Sequence, residues 1–235
     1  YSAAASRDQA RIIFETAKQM VRRSPELQQY INVLANNLNV PATASKFEPV
    51  SSEAGNIEGK DVYVGLIDEL HLHKTREVYD LLKGGTAARS QPLIWVVTTA
   101  GFLTEGICKE RYDYACKVLE GIIEDNELFA YIAQPDAGDD ILAPEVWIKA
   151  NPNLGVSVKV DDLKNKANTA REIPSAYNTF ACKHANLWVS SSDKWMDMAK
   201  WDASGQDAPE IDLRGRRCYA GIDLSSKLDL TSVVL

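Results

Sequence analysis

No stretch of this chain approaches the roughly 20 apolar residues that a membrane-spanning helix needs, and no signal-peptide pattern opens it. A helical membrane protein is therefore not expected. Cysteine is scarce, four in 235 residues, and no two stand close enough in sequence for a disulfide framework or a zinc knuckle. Nor is there an excess of positive charge: Lys and Arg total 26 against 33 Asp and Glu, a formal charge of −7. That balance does not favour nucleic acid as a partner, although net charge hides distribution. Also missing are a G-x-x-x-x-G-K-[ST] phosphate loop and an initiator methionine. The chain opens on Tyr1-Ser2-Ala3 as though already inside a strand and closes on the β-type run Thr231 to Leu235. It is expected to be a piece of a longer polypeptide, in a reducing, cytoplasmic setting.

What is present is an ordinary globular composition, 45% hydrophobic and 25% charged, in a chain long enough to bury a substantial core. Charge is uneven. From Glu120 to Glu145 there are eight acidic residues and no basic one, whereas the first fifty residues hold six Lys/Arg against four Asp/Glu. A DNA-contacting face is expected in the first fifty residues rather than in the acidic stretch.

The most informative segment is Val62-Tyr63-Val64-Gly65-Leu66-Ile67-Asp68-Glu69. It is an unbroken apolar run of strand length, the pattern of a buried parallel strand, and it ends in two adjacent carboxylates. Ligands of open α/β sheets sit beyond the carboxyl ends of the strands. There, Asp68 can hold Mg²⁺ and Glu69 can take a proton from an attacking water, as on the Walker B strand of a nucleotide hydrolase. The alternative is a strand that simply ends in polar residues. A helix expected over Lys74 to Lys83, stopped by Gly84-Gly85, leads to a second apolar strand, Pro92 to Val97. That strand ends in Thr98-Thr99-Ala100-Gly101. Two strands joined through a helix form the βαβ unit of a parallel sheet, which puts both polar ends on one edge. Hydroxyls at Thr98 and Thr99 could then bond a γ-phosphate or its water, or could equally well cap the next segment.

Around this unit the chain reads as follows. Ser6 and Gln9 have capping-box spacing, and Ala10, Ile13, Phe14, Ala17 and Val21 follow at helical intervals. Ser24-Pro25 starts a short second helix. Tyr30 to Ala35 and Leu38 to Val40 flank Asn36-Asn37 as a hairpin, with a further strand expected over Lys46 to Val50. Between Glu105 and Glu120, Cys108, Tyr112, Ala115, Cys116 and Leu119 share a helix face. The two cysteines are two turns, about 12 Å, apart by helical rise, so they are core residues that cannot bridge each other. A strand is expected over Leu128 to Ala133, a turn at Asn151 to Gly155, and helices over Val160 to Arg171 and Ser175 to Leu187. His184 belongs to the packed face of the second of these. His71 and His73 read as loop residues.

Polar residues from Ser190 to Arg216 read as a linker. A new strand then begins at Cys218-Tyr219-Ala220-Gly221-Ile222-Asp223. An aspartate within a buried strand is costly unless compensated. A divalent metal at Asp223 is favoured over a turn cap, and Asp229 is a weaker second candidate ligand.

Taken in order, Leu66-Ile67-Asp68-Glu69-Leu70-His71, Val96 to Phe102, Lys149 to Gly155 and Gly221 to Ser226 resemble the large terminase subunit of tailed bacteriophages. That family packages DNA into capsids. Tyr1 to Ala10 resembles the strand and helix that follow the phosphate loop there. The resemblance spans nearly the whole chain. It implies an α/β fold: a P-loop NTPase-like parallel sheet of the RecA/ASCE type with flanking helices over residues 1–189. A linker over 190–216 and the first strands of an RNase H-like nuclease over 217–235 would follow.

By the same resemblance, ATP and Mg²⁺ are the cofactors, with Mg²⁺ or Mn²⁺ for the nuclease. Asp68 would bind Mg²⁺, Glu69 would activate water, and Thr98 and Thr99 would couple hydrolysis to DNA movement. Arg7 would contact nucleotide as a candidate arginine finger, with Arg76 and Arg89 as other candidates. Asp223 and Asp229 would bind the nuclease metal. Expected partners are double-stranded DNA, a portal protein, a small terminase subunit and further copies in a ring, in the host cytoplasm and away from membranes. Lacking the phosphate-loop lysine, the chain alone is expected to be inactive. A DExH-type helicase shares Asp-Glu-x-His and a Thr-Ala strand end but should continue into a second motor domain. A non-catalytic docking module is the third reading.

Overall fold

The computed structural model describes residues 1–51, 59–102 and 105–190, together with positions 201, 204, 214, 215, 217, 219–223 and 232–234. Two compact units divide after Lys194. In the first, four short strands form a parallel sheet: β1 (Ser2–Ala4), β5 (Pro49–Ser51), β6 (Val64–Asp68) and β7 (Leu93–Val97), in the order β5-β1-β6-β7. Register puts Ala3 beside Ile67 and Asp68 beside Val97. The C-terminal ends of β1, β6 and β7 therefore share one edge.

Helix α1 (Arg7–Arg23) covers β1 and β5. The Ser6 hydroxyl accepts from Gln9 N–H at 3.3 Å, the expected cap. Phe14 and Val21 pack with Leu38 and Phe47, from a small antiparallel sheet of β2 (Asn32–Val33), β3 (Leu38–Val40) and β4 (Ser45–Phe47). The strand expected over Lys46 to Val50 thus splits: Glu48 separates β4, in the small sheet, from β5, in the parallel one. Helix α2 (Pro25–Gln28) joins α1 to this sheet.

On the other face, α3 (Glu77–Gly84) and the start of α4 (Ile107–Leu119) bury Val78, Leu82, Ile107 and Cys108 against Ile67 and Val62. Gly65 lies in this core, where an added Cβ would displace the tip of Ile94, 2.9 Å away, on the neighbouring strand. Two sequence expectations change here. Only the first turn of α4 is buried; Cys116 is half-buried and Leu119 exposed. Leu128 to Ala133 forms no strand, and Phe129 and Tyr131 are 83% and 72% exposed.

A second core forms where α6 (Val160–Glu172) and α7 (Pro174–Lys183) pack with α5 (Trp147–Ala150), burying Trp147, Leu163 and Phe180. His184 stacks on Phe180 at 5.5 Å between centroids, the packed role its spacing predicts. In the second unit, β8 (Gly221–Asp223) pairs antiparallel with β9 (Ser232–Val234). Ile222 is 63% exposed there, so the strand is not buried among the described residues, contrary to the apolar pattern.

Candidate functional site at the carboxyl edge of the parallel sheet

Strand β6 is buried on its α3 side by Gly65 and Ile67, and the ladder with β7 carries on one step past it: Glu69 N–H donates to the Val97 carbonyl at 2.9 Å. The chain then turns sharply. Glu69 takes a left-handed backbone, φ 52° and ψ 49°, and leads into a 3-10 turn, Leu70–Leu72. Such a conformation is uncommon outside glycine and persists where its surroundings fix it. Here Leu72 N–H donates back to the Glu69 carbonyl at 2.9 Å, and Leu70, 1% exposed, anchors the turn in the core. Asp68 and Glu69 are thereby held half-buried at the sheet edge.

Across from them, Thr98 and Thr99 follow the last residue of β7 and are exposed. The shared edge inferred from the βαβ pattern is the observed one. Thr98 Oγ1 accepts from the backbone N–H of His71 at 3.1 Å and lies 3.1 Å from His71 Nδ1. The same Nδ1 is 3.0 Å from Glu69 Oε2. Burial lowers the His71 pKa, against the pull of Glu69, so the ring is neutral near pH 7. Glu69 Oε2 is buried and, among the described residues, has no aligned hydrogen-bond donor despite the short contact to His71. Cys108 lies 3.8 Å from Thr98 Oγ1, and burial raises the pKa of its thiol, which marks it as an inert neighbour.

Behind the hydroxyls, the segment Ala100-Gly101 is gripped from the helical core. Asn186 Oδ1 accepts from Ala100 N–H at 2.7 Å while its Nδ2 donates to the Ala133 carbonyl at 2.9 Å. The Cys182 thiol donates to the Ala100 carbonyl at 3.3 Å. Gly101 leaves space for His71 and Trp188; a Cβ there would lie 3.2 Å and 3.5 Å from them. His71 and Asn186 were not singled out by sequence pattern. The Asp-Glu-x-His spacing was a signal for the first, and an asparagine just past a helix end, where left-handed backbone is tolerated, was a weak one for the second (φ 54°).

Arg7 is exposed in the first turn of α1, three residues past the end of β1 and hence on the same side of the sheet. Arg76 is tied to Asp80 and Glu110 at 2.6 Å and 3.1 Å. Arg89 pairs with Asp61 at 2.7 Å, near the opposite, N-terminal edge.

Among the described residues no group of three or more His, Cys, Asp or Glu forms a metal cluster. Mg²⁺ does not need one. It is commonly held by one or two carboxylates, with phosphate oxygens and water completing the octahedron. Asp68, half-buried at the sheet edge with Glu69 beside it, fits that chemistry. The backbone of Asp223 ends β8 opposite Ser232, but its side chain, like Asp229, lies outside the described residues. The linker expected over 190–216 lies mostly outside them too. A hollow of about 690 Å³ lies between α6 and α7 and is lined by Lys166, Thr169, Thr179, Phe180 and His184. The carboxylate edge is a different place, an open sheet rim.

Comparison with known proteins is consistent along the chain. The family model "Terminase large subunit, ATPase domain" matches residues 1–117, and "Terminase large subunit, endonuclease domain" matches residues 122–235. Protein YmfN of Escherichia coli (strain K12) is 34% identical over 177 residues, covering 75% of this chain and 39% of that protein. The large terminase subunit of Enterobacteria phage HK97 is 26% identical over 239 residues, covering 100% of this chain and 46% of that one. The crystal structure of the HK97 bacteriophage large terminase superimposes with a TM-score of 0.70 at 26% identity, covering 99% of this chain and 48% of that chain. The chain thus spans less than half the length of these relatives.

Proposed function

The chain belongs to the terminase large-subunit family, and from that premise we propose that its full-length protein hydrolyses ATP to drive double-stranded DNA into a capsid and cuts concatemeric DNA with a metal-dependent nuclease. The observation that carries the motor half is the shared sheet edge, where Asp68 and Glu69 meet Thr98 and Thr99. Asp68 would hold Mg²⁺, which when bound neutralises charge on the transferred phosphoryl group. Glu69, whose side chain is 39% exposed, accepts a proton from the attacking water. Thr98 and Thr99 present hydroxyls to the γ-phosphate, and the loss of that contact after hydrolysis is the signal for movement. Arg7 serves as the arginine that stabilises the transition state.

The motor occupies 1–189, the linker 190–216 and the start of the nuclease 217–235. The division into compact units after Lys194 supports this, while the endonuclease match beginning at residue 122 would draw the boundary earlier. Asp223, with Asp229, holds Mg²⁺ or Mn²⁺ in the nuclease. The phosphate loop, absent from these 235 residues, is supplied by another part of the full-length protein. The exposed apolar side of β7, with Trp95 53% and Val97 56% exposed, is the face available to pack against it. Portal protein, small terminase subunit and sister copies in a ring are the partners, in the cytoplasm of the bacterial host. No described helix is long and apolar enough to cross a membrane.

The test is Mg²⁺-dependent ATP hydrolysis and DNA cleavage by the full-length protein. Asp68→Asn should abolish the first and leave the second, and Asp223→Asn should do the reverse. ATP turnover indifferent to Asp68→Asn contradicts the reading, as does robust turnover by the isolated 235-residue chain.

A further inference from the structure

Two side-chain oxygens and one ring nitrogen converge between the β6 and β7 tips. His71 Nδ1 is 3.0 Å from Glu69 Oε2 and 3.1 Å from Thr98 Oγ1. A neutral imidazole nitrogen carries either one proton or one lone pair, so Nδ1 can serve only one of these oxygens at a time. The local pattern says which it serves here. Thr98 donates its own hydroxyl proton to the Thr99 carbonyl at 3.0 Å and already accepts from the His71 backbone N–H. Its remaining lone pair is matched by Nδ1–H at 3.1 Å, a stronger and nearer donor than the Cys108 thiol at 3.8 Å. Glu69 Oε2 is then left buried without a donor, as observed.

The ring has little freedom to leave. It sits against Gly101, where an added Cβ would lie 3.5 Å from its Cδ2, and its side chain is 17% exposed. A small rotation exchanges one oxygen partner for the other. The anchor is short as well: the 3-10 turn pins His71 only two residues after Glu69.

We propose that His71 is a positioning residue that makes the orientation of Glu69 conditional on the bonding of Thr98. This rests on the proposed ATPase reading of the same edge. While Thr98 bonds within the protein, Nδ1–H is held by its hydroxyl and Glu69 is unfixed. When a γ-phosphate oxygen takes the Thr98 hydroxyl proton and the side chain rotates towards it, Oγ1 moves away from Nδ1, and Nδ1–H turns to Oε2 and fixes the carboxylate towards water. The base is then oriented only when phosphate is present at the hydroxyls, so an unoccupied site does not order it. His71 touches neither water nor phosphate in this scheme.

The experiment is steady-state ATP hydrolysis by the full-length protein carrying His71→Ala, His71→Asn or His71→Gln, with Glu69→Gln alongside. The Asn amide reaches the position of Nδ1, and the Gln amide reaches that of Nε2. His71→Ala and His71→Gln should lower kcat about 10-fold or more with KM within about 3-fold, and His71→Asn should stay within about 3-fold of the parent in both. Equal loss in the two amide variants, as a folding defect would give, overturns the proposal. So does a change in KM with kcat unmoved. If Glu69→Gln leaves turnover intact, the ATPase reading itself fails. If Glu69→Gln abolishes turnover and His71→Ala does not, only the role of His71 fails.

Discussion

Strands β6 and β7 read alike in the sequence and are built differently in the fold. Each is a five-residue apolar segment ending in polar residues. β6 has a hydrogen-bonded neighbour on both sides, and Gly65 and Ile67 are buried beneath α3. β7 pairs with β6 alone among the described residues. Ile94 and Val96 face the core, while Leu93, Trp95 and Val97 are 46%, 53% and 56% exposed. The contrast teaches what an apolar run records. It reports that a strand is suited to burial on both faces; it does not say that the cover lies within the same 235 residues. The two tips differ in the same way. The β6 tip is fixed by a left-handed turn and a buried Leu70, whereas the β7 tip is held from behind by Asn186 and Cys182.

The largest expected effect breaks the chemistry at the β6 tip and spares its shape. Glu69→Gln in the full-length protein should cut ATP turnover about 10²- to 10⁴-fold while leaving nucleotide affinity near that of the parent. Next comes burial itself. Ile67→Ala, at 1% exposure, should cost about 2–5 kcal/mol in denaturant unfolding. Trp95→Ala in the 235-residue chain should cost far less, and in the full-length protein its cost should rise towards about 3–5 kcal/mol if that face is covered there. Equal costs for Trp95→Ala in the two proteins would erase the explanation given for the exposed face.

Smaller again is the hold on the β7 tip. Asn186→Ala strands the Ala100 N–H and loses the donor to Ala133, so a loss of about 1–3 kcal/mol is expected. Hydrogen exchange should quicken at Ala100 and remain slow in β6. The smallest effect is from pH. His71, His73 and His184 all have pKa values lowered by burial, so the unfolded chain binds protons first as pH falls. Their contribution is whole above the ordinary value of about 6.5 and is lost as pH drops through their lower folded values. Urea midpoints compared at pH 7.5 and pH 5.5 should therefore be lower at the acid end, with a flat profile counting against buried neutral rings.

Much of this was legible before any coordinates. Capping by Ser6, the α6 and α7 helices and the packed His184 follow from spacing, because local hydrogen bonds and one buried face decide them. The meeting of Asp68 and Glu69 with Thr98 and Thr99 followed from topology, since a strand–helix–strand unit fixes which ends share an edge. What stayed hidden depends on long-range partners. The same run of residues around Glu48 feeds two different sheets, which no local pattern distinguishes. Leu128 to Ala133 has strand composition but no described strand beside it to pair with. His71 looks like any loop histidine until the turn after Glu69 brings its ring between two oxygens, and Asn186 gains its place only when Ala100 and Ala133 converge on it from far away in sequence.

The account depends most on Asp68 being the point where a divalent cation meets the sheet edge. Electron paramagnetic resonance of Mn²⁺ titrated into the full-length protein with ATP measures this directly. One tightly bound, nucleotide-dependent Mn²⁺ per motor is predicted in the parent, weakened at least about 10-fold by Asp68→Asn while Asp223→Asn leaves it in place. Nucleotide-dependent Mn²⁺ binding of unchanged affinity in Asp68→Asn would contradict the account.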